Sequence, residues 1–190
     1  MAAVFALVSY GGPPQEINSA SCPVTISYVF YDVTGTTVEQ LRKAMLENGP
    51  VDTFDNKHYA YTAWSINWTW PQSAAGKNDF SMTEVSCSAV MTLPRFKPLK
   101  GTPFSLLLEW NSFFERLVEH ENNHIENAVK SAPSISNLIR QEAQRGLIRS
   151  AKDANAIGYS KLREIRQLDL DYDQRTHYGQ TEGTWLVGSD

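Results

Sequence analysis

Apolar residues alternate with other residues along the segment 24–33, which is the pattern of a half-buried β-strand. The apolar positions of this alternation are Val24, Ile26, Tyr28 and Phe30. A helix is predicted after the strand, because Thr36 and Glu39 have the spacing of a capping box. The Gly49-Pro50 pair would end that helix.

Two further strands are predicted in the segments 58–70 and 80–93. The first carries Trp64, Ile66, Trp68 and Trp70 on one face and Tyr59, Tyr61 and Ala63 on the other. The second carries Val85, Cys87, Ala89, Met91 and Leu93 on a shared face. Because only the polar turn 72–79 separates the two strands, we expect them to form an antiparallel pair.

The pattern changes to a helical period in the second half of the chain. A long helix is predicted over about 103–130, with apolar residues at three- and four-residue steps. These residues are Trp110, Phe113, Phe114, Leu117, Ile125 and Ala128. Pro133 is expected to end this helix, and Ser134 to cap a second helix that runs to Arg149. A third helix is predicted over 151–168, followed by a polar, glycine-containing loop over 169–190 with room for one last strand.

The chain is therefore expected to form one α+β domain over residues 1–190. A small, mostly antiparallel sheet would occupy residues 20–95, the helical half residues 103–168, and the C-terminal loop residues 169–190. A length of 190 residues is ordinary for a single domain with its own core. No linker rich in Pro, Gly and Ser divides the chain.

Charge and hydropathy exclude two classes of partner. The formal net charge is −4, and Lys and Arg are scattered, so nucleic-acid binding is not expected. No apolar run reaches the length of a membrane span. We expect a monomer.

The two cysteines and the first residues leave the cellular compartment open. Cys22 and Cys87 can form one disulfide in an exported protein or remain two thiols in the cytosol. Residues 1–12 are apolar but lack the Lys or Arg of a leader peptide. Two interpretations stay open: a leader removed and replaced by a start Met, or an ordinary first strand.

The segment "EHENNHIE" within the long helix contains an H-E-x-x-H motif. His120 and His124 are four residues apart, so on a helix both imidazoles can point at one ion. Zinc binds neutral imidazole nitrogen, and catalytic zinc sites usually have a third protein ligand and a water. Glu121 lies about 100° around the helix from His120, where it can reach that water as a general base.

A polar patch on a solvated helix face is the alternative interpretation of this segment. The two histidines continue the apolar row that runs through Phe113 and Leu117 towards Ala128, so we expect them to face the core. This position favours a metal site.

Several segments of the chain resemble a family of bacterial proteins of unknown function described as predicted secreted zinc-dependent proteases. They are "YDVTGTTVEQLRKAMLENGP", "YTAWSINWTW", "VMTLPRF", "EWNSFFERLVEHENNHIENA" and "YDQRTHYGQTEG". The resemblance implies export to the periplasm or the medium, a zincin-like metal site and peptidase activity. In the family the last segment reads Y-D-x-x-T-x-H-G, whereas here the histidine is one place earlier, at His177, and Tyr178 precedes the glycine.

The third zinc ligand is the open question. His177 is the first candidate, since it lies in a glycine-flanked loop that can fold back over the helix. A carboxylate from a later helix is the second, with Glu142 and Asp153 as candidates. The remaining alternatives are His58 and the absence of any third protein ligand.

Three other features have both a functional and an ordinary interpretation. Tyr178 can donate its O–H to a developing oxyanion or simply pack in its loop. Asp173 can orient a metal-bound imidazole or form an Asx-turn. Trp64, Trp68 and Trp70 can line a sugar- or peptide-binding groove, but such a stripe is more often core or the face on which a helix packs.

The sequence therefore predicts an exported zinc metallopeptidase that acts on a peptide or protein, with His120, His124 and His177 as ligands. Glu121 is the predicted general base and Tyr178 a candidate catalytic residue. Two alternatives stay open. One is a metal-binding or surface interaction protein without turnover, and the other is a hydrolase of another amide, such as a cell-wall cross-link.

Overall fold

A computed structural model describes residues 22–52 and 55–188 of the chain. The strand or leader considered for residues 1–12 lies outside these ranges. The elements are strand β1 (Val24–Val33), helix α1 (Val38–Asn48), strands β2 (Tyr61–Thr69) and β3 (Glu84–Phe96), and helices α2 (Phe104–Ser131), α3 (Pro133–Gln144) and α4 (Ala151–Thr176). The predicted α+β class is confirmed.

The sheet has three strands in the order β1-β3-β2. β2 and β3 are antiparallel, as predicted, and Trp64 lies opposite Ala89. β1 is parallel to β3, with Val24 opposite Cys87, so the sheet is mixed rather than mostly antiparallel. Alternation along a strand indicates which side chains share a face but not the direction of the neighbouring strand. The parallel pair was therefore not foreseeable from the pattern.

One face of the sheet is buried beneath the helices. The five predicted inward residues of β3 (Val85, Cys87, Ala89, Met91 and Leu93) are all at most 6% exposed. The opposite face is open and carries the hydroxyls of Ser65 and Ser88, 2.8 Å apart, together with the exposed Val29 and Val90. A sheet with one covered face requires this alternation.

The prediction that Phe30 faces inward is wrong, because Phe30 is 46% exposed. The buried positions change parity towards the end of β1, where Val33 is buried and pairs in register with Phe96 of β3. Phe96 packs on Trp110 in α2, with ring centroids 5.1 Å apart. At this end of the sheet, the elements that cover the strands therefore decide which side chains of β1 are buried.

Helix α1 begins one residue later than the capping-box spacing predicted. Thr37, not Thr36, is the N-cap, and its hydroxyl accepts a hydrogen bond from the backbone N–H of Gln40. The Gln40 side chain in turn accepts from the N–H of Thr36. Gly49 ends the helix as expected.

Helix α2 matches its prediction closely, but the following boundary differs. Pro133 does not simply terminate α2, because it also occupies the first position of α3, where a residue without an N–H is tolerated. Ser134 donates its hydroxyl to the carbonyl of Ser131 and is not an N-cap. α3 ends at Gln144 rather than Arg149.

Helix α4 extends to Thr176, so the prediction of a loop over 169–176 is wrong. The apolar pattern fades at this end because the inward-facing positions carry polar side chains, as described below. Residues 180–182 then form a 3₁₀ turn, and the described part of the tail contains no strand. No helix in the described ranges is long and apolar enough to span a membrane.

The tryptophan stripe of β2 packs against α4. The indole N–H of Trp68 donates to Asn155, and that of Trp64 donates to Asp169, both in α4. Gly158 allows the close approach, since a Cβ there would lie 2.6 Å from the Trp68 ring. The stripe is a helix-packing face, and it fixes α4 relative to the sheet.

Candidate metal centre

Helix α2 carries the two histidines of the H-E-x-x-H motif on its buried face. His120 and His124 are 5% and 7% exposed, and they continue the row of Phe113 and Leu117. Their Nε2 atoms lie 3.3 Å apart. Two imidazoles four residues apart thus converge on one point inside the protein, as the sequence predicted.

Helix α4 presents two aspartates to these histidines with the same four-residue spacing. Asp173 lies in the last turn of α4, and Asp169 lies one turn earlier. The Oδ1 atom of Asp173 is 3.1 Å from Nε2 of His124 and 3.3 Å from Nε2 of His120. One carboxylate oxygen and two ring nitrogens therefore form a nearly equilateral triangle.

The size of this triangle fits a bound metal ion. Ligand atoms at 2.0–2.1 Å from a tetrahedral zinc are about 3.3–3.4 Å from one another. The three donor distances of 3.1, 3.3 and 3.3 Å are close to that value. His120, His124 and Asp173 thus form a group that could hold a metal ion. A set of two nitrogens and one oxygen leaves the fourth tetrahedral position for water or substrate.

The opposite ring nitrogen of each histidine has a carboxylate partner. Nδ1 of His124 is 2.8 Å from Asp169, and Nδ1 of His120 is 2.8 Å from Glu182 in the 3₁₀ turn. A carboxylate at Nδ1 keeps the proton on that atom and leaves the Nε2 lone pair for a metal. The tautomer that metal binding requires is therefore built into the site.

Tyr172 and Asn123 complete the support around His120. The Tyr172 hydroxyl donates to Glu182, accepts from the side-chain amide of Asn123 and lies 3.1 Å from Nδ1 of His120. The Tyr172 ring also stacks on the His120 ring, with centroids 5.1 Å apart. The His120 imidazole is therefore held by stacking against its ring face as well as by hydrogen bonds at its edge.

Without an ion, the negative charge around the histidines favours their protonation. Burial alone would lower the pKa of His124, but hydrogen bonds to Asp169 and Asp173 outweigh it and raise the pKa to about 10. The pKa of His120 is raised by Asp173 and Glu182 against the same effect of burial. Burial would raise the pKa of Asp173, but its bonds to both histidines lower it. Because the surroundings stabilise positive charge, they would also stabilise a cation at this point.

Glu121 is buried beside the converging donors. It is 4% exposed, and its Oε2 atom has no hydrogen-bond partner among the described residues. Burial raises the pKa of its carboxyl group, while the neighbouring His124 and His120 act in the opposite direction. A buried carboxyl with a raised pKa and an oxygen free for a ligand is suited to accept and return a proton.

The structure does not bring His177 into the converging group. His177 is the C-cap of α4, with a left-handed φ of 51°, one turn beyond Asp173. Tyr178 follows with a φ of 56°, is 61% exposed, and donates its backbone N–H to the carbonyl of Asp173. Gly179 continues this turn against His120, since a Cβ there would lie 3.1 Å from the imidazole.

The other candidate ligands also lie outside the group. Glu142 pairs with Arg145 on α3, and Asp153 accepts hydrogen bonds at the start of α4. His58 pairs with Asp52, and its ring centroid lies 6.5 Å from that of Tyr178.

Sequence reasoning missed Asp169, Glu182 and the position of Asp173 as a candidate ligand. Asp173 was considered only as a partner of a bound imidazole, and that part is played here by Asp169 and Glu182. The four-residue spacing of Asp169 and Asp173, with Tyr172 between them, was the available signal. It was overlooked because the helix was expected to end at Leu168.

Comparisons with known proteins place the chain in a family without an assigned function. The comparisons with curated proteins and with solved structures found no match. A family model described as "Bacterial protein of unknown function (DUF922)" matches residues 28–180, which include all the converging donors. The chain therefore belongs to this bacterial family of unknown function.

Proposed function

We propose that this protein is an exported zinc-dependent metallopeptidase. The proposal rests on one observation: the donors of His120, His124 and Asp173 converge with the spacing of a zinc site, directly beside the buried carboxylate of Glu121. Nitrogen and oxygen donors at these distances are typical of zinc, although nickel and copper accept similar sets.

The chain's own residues have distinct parts in this proposal. His120, His124 and Asp173 would hold the ion, while Asp169 and Glu182 keep the two imidazoles in the binding tautomer. A bound zinc would supply Lewis acidity, which acidifies a water molecule and polarises the scissile carbonyl. Glu121 would accept the proton from the attacking water and pass it to the leaving amine.

Two features support a peptide as the substrate. β2 lies at the edge of the sheet formed by the described strands, and Thr62 in β2 donates its hydroxyl to the backbone carbonyl of Glu121 at 3.4 Å. An extended peptide can add to such an edge through backbone hydrogen bonds. Tyr178 is exposed on the turn that contacts His120, and we propose that its hydroxyl donates to the developing oxyanion.

Export is part of the proposal. It is supported by the resemblance of several segments of the chain to predicted secreted proteases.

The test measures metal content first and turnover second. Purified protein is loaded with zinc, the bound zinc per chain is measured, and a mixed peptide library is then incubated with the holoprotein. We expect about one zinc per chain and cleavage of peptides. In Glu121→Gln, zinc should be retained while cleavage falls by about 100-fold or more.

Glu119→Gln is the matched control, since Glu119 is an exposed residue of the same helix. It should leave both readouts unchanged. Bound zinc without cleavage of any peptide would instead support a metal-binding protein without turnover. Cleavage restricted to cell-wall cross-links would identify an amide hydrolase of another class. Equal cleavage by Glu121→Gln would exclude the role assigned to Glu121.

A further inference from the structure

Two buried cysteines lie against each other at the start of the described chain, on a part of the fold that the metal site does not use. Cys22 is 0% exposed and Cys87, in the central strand β3, is 5% exposed. Their Sγ atoms are 2.7 Å apart. Carbon atoms, which are smaller than sulfur, make optimal non-bonded contacts at about 3.5–4.0 Å. The two sulfur atoms are thus closer than an ordinary non-bonded contact, and their separation exceeds the S–S bond length by less than about 1 Å.

The backbone on both sides fixes this approach. The N–H of Cys87 donates to the carbonyl of Pro23 at 2.8 Å, and Val24 is paired with Cys87 in the parallel β1–β3 ladder. Backbone pairing at the start of β1 therefore holds Cys22 next to Cys87, in addition to the contact between their side chains. No shift of either strand is needed to bring the sulfur atoms together.

The surroundings do not favour another role for these thiols. Both side chains belong to the hydrophobic core. Burial raises the pKa of the Cys87 thiol, and the neighbouring Cys22 raises it further, so it stays protonated and is a poor nucleophile. Among the described residues, neither cysteine belongs to a group that could hold a metal ion.

We propose that Cys22 and Cys87 form a structural disulfide bond that fastens the start of β1 to the central strand. Each thiol loses one proton and one electron, and one S–S bond forms between the two Sγ atoms. The oxidant is a second disulfide, carried by a thiol–disulfide oxidoreductase or by oxidised glutathione, which takes up both electrons and both protons and becomes two thiols. The bond forms before the core closes, because both sulfur atoms are shielded from solvent afterwards.

The bond would stabilise the edge of the sheet. β1 is an edge strand that pairs only with β3 among the described strands, and the chain leaves β1 by way of α1 and β2 before it reaches β3. A cross-link between residues 65 positions apart restricts the unfolded chain over a long loop. The proposal does not depend on the metal site and can fail or succeed without it.

Thiol counting on the full chain tests this directly. Protein refolded with oxidised glutathione, or recovered from an oxidising compartment, is unfolded in denaturant with an alkylating reagent, and its mass is measured. Without prior reduction no cysteine should be alkylated, and with reduction two should be. Two alkylated thiols without reduction would overturn the proposal.

Cysteine variants distinguish a specific Cys22–Cys87 bond from incidental oxidation of the thiols. Cys22→Ser and Cys87→Ser should each show one alkylated thiol after reduction, and a disulfide-linked dimer of the parent protein would argue against an intrachain pair. The unfolding midpoint of the oxidised protein should fall by about 5–15 °C on reduction. The midpoint of the Cys22→Ala/Cys87→Ala double variant should not respond to reductant, while its zinc content equals that of the parent. If reduction leaves the parent midpoint unchanged, the bond has no structural role.

Discussion

Asp169 accepts hydrogen bonds from two directions, and one of them comes from the Nδ1 atom of His124 at 2.8 Å. The other comes from the indole N–H of Trp64, also at 2.8 Å. The sheet, α4 and α2 are thereby joined through one carboxylate. The orientation of a candidate metal ligand on α2 depends on a tryptophan in an edge strand.

Trp64→Phe should weaken zinc binding by about tenfold, because Asp169 loses the donor that fixes its carboxylate. Trp68→Phe is the matched control, since its indole donates to Asn155 and not to a partner of a histidine. Both variants remove one indole hydrogen bond and should lose similar stability, about 1 kcal/mol. Competition with a fluorescent zinc chelator measures the affinities. Equal zinc affinities for the two variants would contradict the positioning role of Trp64.

Asp173→Asn should reduce zinc affinity by about 100-fold or more, since it removes the charge of the proposed third ligand. His177→Asn should leave the affinity unchanged, because asparagine tolerates the left-handed conformation at this C-cap and His177 is outside the converging group. Titration calorimetry of both variants decides between the two residues. A large loss of zinc affinity in His177→Asn and none in Asp173→Asn would instead identify His177 as the ligand.

Removal of metal should destabilise the protein. Free zinc at 100 times its dissociation constant should stabilise the folded state by about 2.7 kcal/mol. For a chain of this size that corresponds to a rise of about 5–10 °C in the unfolding midpoint. A chelator should reverse the rise in the parent protein. The midpoint of Asp173→Asn should respond to the same zinc concentration far less, and an equal response would place the bound ion elsewhere.

Gly158→Ala should lower the free energy of unfolding by about 1–3 kcal/mol, because the added methyl group would overlap the Trp68 ring. Ser160→Ala, at an exposed position of the same helix, should have little effect or slightly stabilise the helix. Denaturant unfolding of both variants provides the comparison. If Gly158→Ala is as stable as the parent, the close packing of α4 on β2 is not required by the fold.

The sequence by itself determined most of the local elements, apart from the ends of α3 and α4, and half of the candidate site. The spacing of apolar residues in α2 defines both its length and its buried face, and His120 and His124 fall on that face because four residues make about one turn. Strict alternation likewise defined the inward positions of β3. These features depend only on periods of the backbone, which a sequence displays directly.

Only the tertiary structure decided the third donor and the partners of the imidazoles. Asp173, Asp169 and Glu182 reach α2 because the tryptophan stripe of β2 fixes α4 beside it and because the following turn folds back on His120. Asp169 and Asp173 also interrupt the apolar pattern of α4, so the sequence signal was weakest where the site is assembled. The direction of β1 relative to β3 could not be predicted for a related reason. Strand pairing is a contact between distant segments, and the residue pattern of neither strand records the direction of its partner.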